Sequence, residues 1–418
     1  MNALWDDTPF TESGKFSGRQ LHLGVSGSVA CYKAAELLRA WHRLDMQVSA
    51  TLTAGAREFV TPLLFASLGA APVYGDMFAE GQDVFAHLEP GQNAEAMVIV
   101  PATADVLSRL AAGAASDMLS AQALAFAGPV IVAPAMNPRM WAHAATQENV
   151  ARLRARGVVV VGPDTGAAAC GDEGKGRLAE LPAIFFAALR ALAPQDMEGL
   201  RVLVTLGPTR EPWDGVRYWS NPSSGRMGAA LATCAWLRGA EVTAVCGPGV
   251  RSVLPEGVTR QDVATAREMF RVASDAWPGM DMGFFSAAVA DFSPERPADG
   301  GEAKFKKTGA SDGLSIAFSP NPDILRTLAA SRRPGQRVLG FAAEIVPDME
   351  SLLSLARLKL TRKGADVVAA NPVNAGAGAF GAAEASMAVA DRNGQEEIWN
   401  ARNKADIAWD LCSWLLRI

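Results

Sequence analysis

The chain carries several residues whose types and surroundings suit chemistry. Cys170 lies in Gly166-Ala-Ala-Ala-Cys-Gly-Asp-Glu-Gly-Lys-Gly-Arg177, a stretch too rich in glycine for a core. A thiol there reads as a reactive group on a loose lid. Cys31, Cys234, Cys246 and Cys412 suit small buried hydrophobes instead. Pro101-Ala-Thr-Ala-Asp105 and Pro134-Ala-Met-Asn137 each follow an apolar run and end it with polar groups beside a rigid proline. Taken singly, either is also an ordinary helix cap. Of four histidines, His87 precedes these turns in FAHLEPG. His22 falls within a strand and His42 on a helix, both structural or exposed in character, and His143 after the second turn is the weaker candidate. Gly24-Val-Ser-Gly-Ser28 follows a strand and opens a helix, so its backbone and Ser28 suit a phosphate at the positive helix end. It is not G-x-G-x-x-G, which disfavours a dinucleotide.

A second set lies further along. Gly207-Pro-Thr-Arg-Glu-Pro212 leads through Val216-Arg-Tyr-Trp-Ser-Asn221 to Ser223-Ser-Gly-Arg-Met-Gly228. So long a connection between a first strand and a first helix is usually functional, and Ser223, Ser224 and Gly225 suit phosphate or carboxylate binding. Ser286-Ala-Ala-Val-Ala-Asp291 ends another strand with an acid placed for a ribose or a magnesium-bound phosphate. Lys304-Phe-Lys-Lys307 is a compact cationic run; such runs are commonly solvated surface, but beside a nucleotide loop this one reads as a clamp on developing phosphate charge.

These groups need elements to hold them. The 418 residues allow two to three domains of about 150 each. LHLGV, QVSATLT, AMVIV, PVIVAP and VVVVG read as strands separated by helical patterns, the alternation of a parallel sheet buried on both faces. After ELPAIFFAALRALAP the alternation restarts with LRVLVTLGP, EVTAVCGP, MGFFSAAVAD, QRVLGFAAE and ADVVAANP. Near the end, Asn393-Gly394 between two runs predicts a type I′ hairpin. The expectation is an α/β protein of two doubly wound domains: a polar lead over 1–18, one domain over 19–193 and a second over 194–418.

Composition excludes other classes. With 49% apolar and 20% charged residues the chain is an ordinary globular protein, and a net charge of −5 argues against a nucleic-acid binder living on phosphate contacts. The uncharged stretch from Met118 to Pro138 contains three prolines and cannot run as one apolar helix across a membrane. Five cysteines without a C-x-x-C pair, and an amino terminus without an apolar signal core, predict reduced thiols and a cytoplasmic location.

SGSVACYK, the histidine of HLEPG, PATAD, PAMN and ACGDEGKGR occur in the order of the homo-oligomeric flavin-containing cysteine decarboxylases. The first half resembles the phosphopantothenoylcysteine decarboxylases among them, over most of 19–193. The resemblance implies a flavodoxin-like FMN domain. It implies loss of hydride from the substrate's cysteinyl side to FMN, release of carbon dioxide from the thioaldehyde, and reduction of the ene-thiol. By that likeness His87 positions and assists acid–base chemistry, Asn137 binds the substrate carboxylate and amide, and Cys170 donates a proton. Gly27, Ser28, Thr53, Ala102, Thr103 and Asp105 fall on FMN-contacting stretches. The likeness also implies a trimer with the flavin at a subunit interface.

The second half resembles the phosphopantothenate–cysteine ligases, and the order of the halves resembles the bacterial bifunctional family of coenzyme A synthesis. That implies a Rossmann-like ligase domain with dimeric contacts, using CTP and magnesium to form an acyl-cytidylate that cysteine attacks. By position Asn221 polarises the acyl-cytidylate, Arg217 assists the cysteine step and Lys304 stabilises phosphate transfer. Phe285, Ser286, Ala287, Asp291, Pro322, Asp323, Ile324, Leu325, Phe341, Lys359 and Lys363 fall on CTP-contacting positions. The side-chain ligands of the metal stay unassigned; magnesium is expected to be carried mainly by the CTP phosphates. Arg226 replaces the family's usual lysine, and Pro222 and Trp219 also depart from it. The expected partners are the small molecules phosphopantothenate, cysteine and CTP, without nucleic acid or membrane. Competing readings are another decarboxylation on the same flavin fold, argued against by the Cys170 lid and the attached second half, and a non-catalytic regulatory flavoprotein, argued against by the presence of His87 and Cys170.

Overall fold

The computed structural model describes residues 3–79, 83–167, 171–296, 304–305, 314–373 and 382–418. The chain divides into two compact units, one of Thr11–Pro194 and one that joins Met1–Phe10 to Gln195–Ile418. No helix among the described residues is long and apolar enough to cross a membrane.

In the Thr11–Pro194 unit, β1 (Gln20–Val25), β2 (Gln47–Leu52), β3 (Val73–Tyr74), β4 (Ala96–Ala102), β5 (Val130–Pro134) and β6 (Val159–Val160) form one parallel sheet. Its order is β3-β2-β1-β4-β5-β6, so the winding reverses between β1 and β4. Every residue of β4 is buried, as a strand covered on both faces requires. The helices start where sequence chemistry allows: Thr53, Thr103 and Asp117 accept the backbone N–H of Ala56, Val106 and Ser120.

Residues 168–170, with Cys170, lie outside the described residues, but the glycine-rich stretch on either side of them is paired. Asp164–Ala167 (β7) pairs antiparallel with Glu173–Arg177 (β8) as a two-stranded ribbon. Gly176 permits this placement, because a Cβ there would lie 2.4 Å from the Met136 carbonyl oxygen.

The other unit is built on β9 (Arg201–Leu206), with the short ribbon β10 (Arg210–Pro212) and β11 (Tyr218–Ser220). Then come β12 (Glu241–Cys246), β13 (Val258–Asp262), β14 (Met282–Phe285), the antiparallel pair β15 (Phe292–Pro294) and β16 (Phe318–Pro320), β17 (Arg337–Glu344), β18 (Val367–Pro372), β19 (Glu384–Asp391) and β20 (Glu396–Asn403). The main sheet runs β13-β12-β9-β14-β17-β18-β19-β20, parallel as far as β18 and antiparallel beyond. The long connection expected before the first helix contains the β10–β11 ribbon. The β19–β20 turn is not type I′: among its residues only Gly394 has positive φ, whereas that turn needs two. The Asp391 carboxylate takes over, accepting the N–H of Asn393 and Gln395 and the indole N–H of Trp414.

The lead expected as a polar tail is part of the fold. Trp5, Phe10 and Phe16 are buried. Phe10 stacks edge-on to Trp409, with centroids 6.2 Å apart, and the Asp7 carbonyl accepts the Val253 N–H at 2.8 Å.

Candidate functional sites

The Thr11–Pro194 unit gathers its polar turns at the carboxyl ends of β2, β1 and β4, three neighbouring strands at the winding reversal. Ser28, Thr53 and Thr103 each stand at a helix start there. The loops are tied together: Ser26 donates to the Pro101 carbonyl at 2.7 Å and accepts the Thr103 N–H at 3.1 Å. Gly27 lies against Gly55 so closely that a Cβ would approach its backbone to 2.7 Å. Ala102 is buried at the end of β4, and Asp105 is paired with Arg109. Three adjacent capped turns with hydroxyl groups and helix N–H groups suit the phosphate of a flavin nucleotide.

Asn137 caps the helix Pro138–Ala142, accepting the Arg139 N–H at 2.8 Å. Its amide donates to the Asp172 carboxylate at 2.7 Å, and Asp172 immediately precedes β8. The structure thus brings Asn137 to the start of β8, while Cys170 lies outside the described residues. His87 is half-buried on the turn after Ala86. Cys31, Cys234, Cys246 and Cys412 are buried and free, as small core residues.

In the other unit a cavity of about 570 Å³ opens at the carboxyl ends of β9, β14 and β17. Phe285, Ser286, Ala287, Asp291, Pro322, Asp323, Ile324, Leu325, Phe341, Lys359 and Lys363 all line it, with Asn221 and Ser223 to Gly228 on another wall. Gly225, at φ +73°, leads the chain into the helix Arg226–Leu237, which Gly228 lets approach the floor: a Cβ on Gly228 would meet Leu206 Cβ at 2.3 Å and Ser286 Oγ at 2.4 Å. Asn221 is held by its own amide, which donates to the Val289 carbonyl at 3.0 Å. Lys359 and Lys363 stand one turn apart on the helix Met349–Lys363, closed by Gly364 at φ +66°. Lys363 pairs with Asp323 at 2.5 Å and Lys359 with Glu344.

Arg217 and Lys304 are not on the cavity wall. Arg217 is bound to Asp214, and Phe305, next to Lys304, is bound to the same carboxylate. The remainder of the basic run, Lys306 and Lys307, lies outside the described residues.

Some residues at these sites had no signal in the sequence. Lys404 lines the cavity from the start of the final helix, and burial with Arg226 nearby lowers its ammonium below the usual lysine range. Asn321 and Asn371 line it too. Each comes from a segment remote from the motifs.

Comparison with known proteins divides the chain between residues 191 and 197. The family described as "Flavoprotein" matches residues 9–191, and that described as "DNA/pantothenate metabolism flavoprotein C-terminal domain" matches residues 197–418. The "Coenzyme A biosynthesis bifunctional protein CoaBC" of Haemophilus influenzae is 37% identical over 404 residues, 96% of this chain and 98% of that one. The protein of the same name from Mycobacterium bovis is 41% identical over 368 residues, 86% of this chain and 87% of that one. A crystal structure of the C-terminal domain of a protein of that name aligns with 53% of this chain and 97% of its own, at 29% identity and a TM-score of 0.43.

Proposed function

The chain belongs to the bifunctional CoaBC family of coenzyme A biosynthesis, and from that premise we propose how its residues divide the work. It is a flavoprotein and a bifunctional enzyme, ligase and decarboxylase in one polypeptide. The unit of Gln195–Ile418 is assigned the ligation of phosphopantothenate with cysteine. The unit of Thr11–Pro194 is assigned the decarboxylation that follows, with FMN as its flavin.

In the ligase reaction a carboxylate is a poor electrophile until one of its oxygens is bonded to phosphorus in a mixed anhydride. CTP is proposed to supply that anhydride: the carboxylate attacks its α-phosphorus, giving an acyl-cytidylate with pyrophosphate leaving. Ser286, Ala287 and Asp291 at the end of β14 and Pro322 to Leu325 would hold the nucleoside, while Lys359 and Lys363 would take the phosphates in place of Asp323 and Glu344. Asn221 would polarise the activated acyl group, Lys304 stabilise charge at the transferring phosphate and Arg217 assist cysteine attack. Magnesium is proposed to arrive on the CTP phosphates; the cavity wall carries the carboxylates Asp291 and Asp323.

In the decarboxylase reaction bound FMN supplies a two-electron acceptor and donor, which no side chain here can be. Ser28, Thr53, Thr103 and their helix N–H groups would hold its phosphate, with Gly27, Ala102 and Asp105 shaping the same loops. Asn137 would bind the substrate carboxylate, His87 orient and exchange protons near it, and Cys170 return a proton at the end. The exposed Val84 and Phe85 beside His87 support cover by a second copy, so a trimer-based assembly through this unit, with dimeric contacts through the ligase unit, is proposed. A cytoplasmic location agrees with four buried free thiols.

One observation carries this reading: every nucleotide position expected from the sequence, Lys304 apart, lies on one cavity. Product analysis with phosphopantothenate, cysteine, CTP and magnesium tests it. Pyrophosphate, carbon dioxide and phosphopantetheine are expected together. If CTP with phosphopantothenate releases no pyrophosphate, the ligase assignment fails; if the purified chain takes up no FMN, the decarboxylase assignment fails.

A further inference from the structure

A chain of hydrogen bonds runs through the interior of the Thr11–Pro194 unit and ends one residue from His87. It begins on β1 and β2, where His22 Nδ1 meets Ser49 Oγ at 2.8 Å and His22 Nε2 meets Thr51 Oγ1 at 3.0 Å. Thr51 then donates to Gln122 Oε1 at 2.5 Å, and Gln122 Nε2 donates to the Ala86 carbonyl at 3.1 Å. His22, Thr51 and Gln122 are fully buried.

The direction of every link is determined from the far end. A carbonyl only accepts, so Ala86 demands the N–H side of the Gln122 amide and turns its oxygen toward Thr51. The Thr51 hydroxyl hydrogen is thereby committed to Gln122, and His22 Nε2 must carry the proton it donates to Thr51. Nδ1 is then bare and accepts from Ser49. Burial holds the His22 imidazole down to about 3, the Gln122 network opposing only in part, so the ring stays neutral as this order requires. Beside the chain, Tyr74 lies 6.0 Å from the His22 ring and donates to Glu89, which opens the helix after His87. The turn bearing His87 is thus gripped on both sides.

We propose that Gln122, oriented by Thr51 and His22, is a positioning residue for the decarboxylase: it fixes the Ala86 carbonyl and so the direction from which the His87 imidazole reaches the substrate. The proposal rests on the catalytic reading of His87. Loss of the amide donor would leave a buried carbonyl unpaired and release the turn, and a displacement of about 1 Å at a reacting group is enough to cost one to two orders of magnitude in rate.

The test uses the full chain with FMN and measures decarboxylation of phosphopantothenoylcysteine in Thr51→Ser, Thr51→Val, Gln122→Met and His87→Asn. Thr51→Ser keeps every link and is expected to retain wild-type kcat. Thr51→Val and Gln122→Met should keep their flavin and KM but lose about tenfold or more in kcat, with no further loss when added to His87→Asn. If Gln122→Met keeps full kcat while His87→Asn is impaired, the positioning role is overturned and the His87 reading survives. If His87→Asn is itself unimpaired, both fall. Should Thr51→Val and Gln122→Met fail to take up flavin, nitrogen-15 histidine NMR of the wild-type chain decides. A His22 ring protonated only at Nε2 supports the relay, and an Nδ1–H or doubly protonated ring near neutral pH overturns it.

Discussion

The carboxylate of Asp214 accepts the backbone N–H of Phe305 at 3.0 Å, joining the β10–β11 ribbon to a segment about ninety residues away. From its own turn the same group accepts the N–H of Val216 at 2.8 Å and of Arg217 at 2.6 Å, and the Arg217 guanidinium at 3.2 Å. Trp213 adds an apolar brace, its ring 5.2 Å from Phe305 and beneath the Arg217 guanidinium. The two cations assigned to different steps of ligation, Arg217 and Lys304, therefore share one anchor. Asp214→Ala should slow pyrophosphate release and cysteine attack together, by about tenfold or more each, while decarboxylation by the same chain is unchanged. Loss confined to one half-reaction would show that the anchor serves only one cation.

The same carboxylate predicts a pH dependence. Burial pushes the Asp214 carboxyl up, but the N–H groups of Arg217, Val216 and Phe305 and the Arg217 charge outweigh it and leave the group below its ordinary range. A depressed native value means stability that is present above the unfolded carboxyl value and lost as pH falls through the native one. Thermal unfolding followed across acid pH should decline less steeply in Asp214→Asn than in the wild type. Equal slopes would remove Asp214 from the account.

Asn221→Ala should separate the two ligase half-reactions. The Asn221 amide donates to the Val289 carbonyl, which aims the side chain at the cavity. Without it CTP is still consumed, and an acyl-cytidylate should accumulate for detection by mass spectrometry. If no such species appears, the residue acts earlier than proposed.

The lysine pairs predict an effect of the opposite sign. Lys359–Glu344 and Lys363–Asp323 are about one-third exposed, so each is worth only about 0–1 kcal/mol and yields readily to phosphate. Glu344→Gln should lower the KM for CTP by up to about fivefold, whereas Lys359→Ala should raise it. A raised KM in Glu344→Gln would mean that the carboxylate orients the lysine rather than competing for it.

Much of this was legible in the sequence, for physical reasons. A parallel strand buried on both faces is a run of β-branched residues, so AMVIV and LRVLVT declare themselves, and polar turns at their carboxyl ends mark the sites. Lys359 and Lys363 were expected only through the resemblance to the ligases; the structure adds that a spacing of four puts both on one helix face. Gln122, Asp214 and Lys404 were not legible, since each acts through a partner dozens of residues away and no local pattern encodes such a pairing. The β7–β8 ribbon was hidden by its glycines, which weaken a strand signal while allowing the close approach of Gly176 to Met136. The type I′ expectation at Asn393 failed because the Asp391 carboxylate satisfies the turn's N–H groups itself.

Phe10 gives a last stability prediction. It is 2% exposed and adopts φ +70°, a costly conformation for an aromatic residue, tolerated here beside Trp409. Phe10→Ala should destabilise the ligase unit by about 3–5 kcal/mol, seen as a lowered thermal transition with pyrophosphate release lost on heating before decarboxylation. Coincident loss of both activities would contradict it.

Because Met1–Phe10 folds with Gln195–Ile418, the carboxyl-terminal enzyme is a protein interrupted by another protein. In synthesis Phe10 precedes the whole of Thr11–Pro194, and Trp409, against which it packs, follows it. Throughout that interval Trp5 and Phe10 have no finished home. The intervening enzyme can mature while the chain is still being translated, but the ligase closes only after Trp409 has been made. A stalled or prematurely ended chain would then leave a working decarboxylase trailing an exposed apolar strap, and a gene divided at Pro194 would give the ligase half no access to its own first turn.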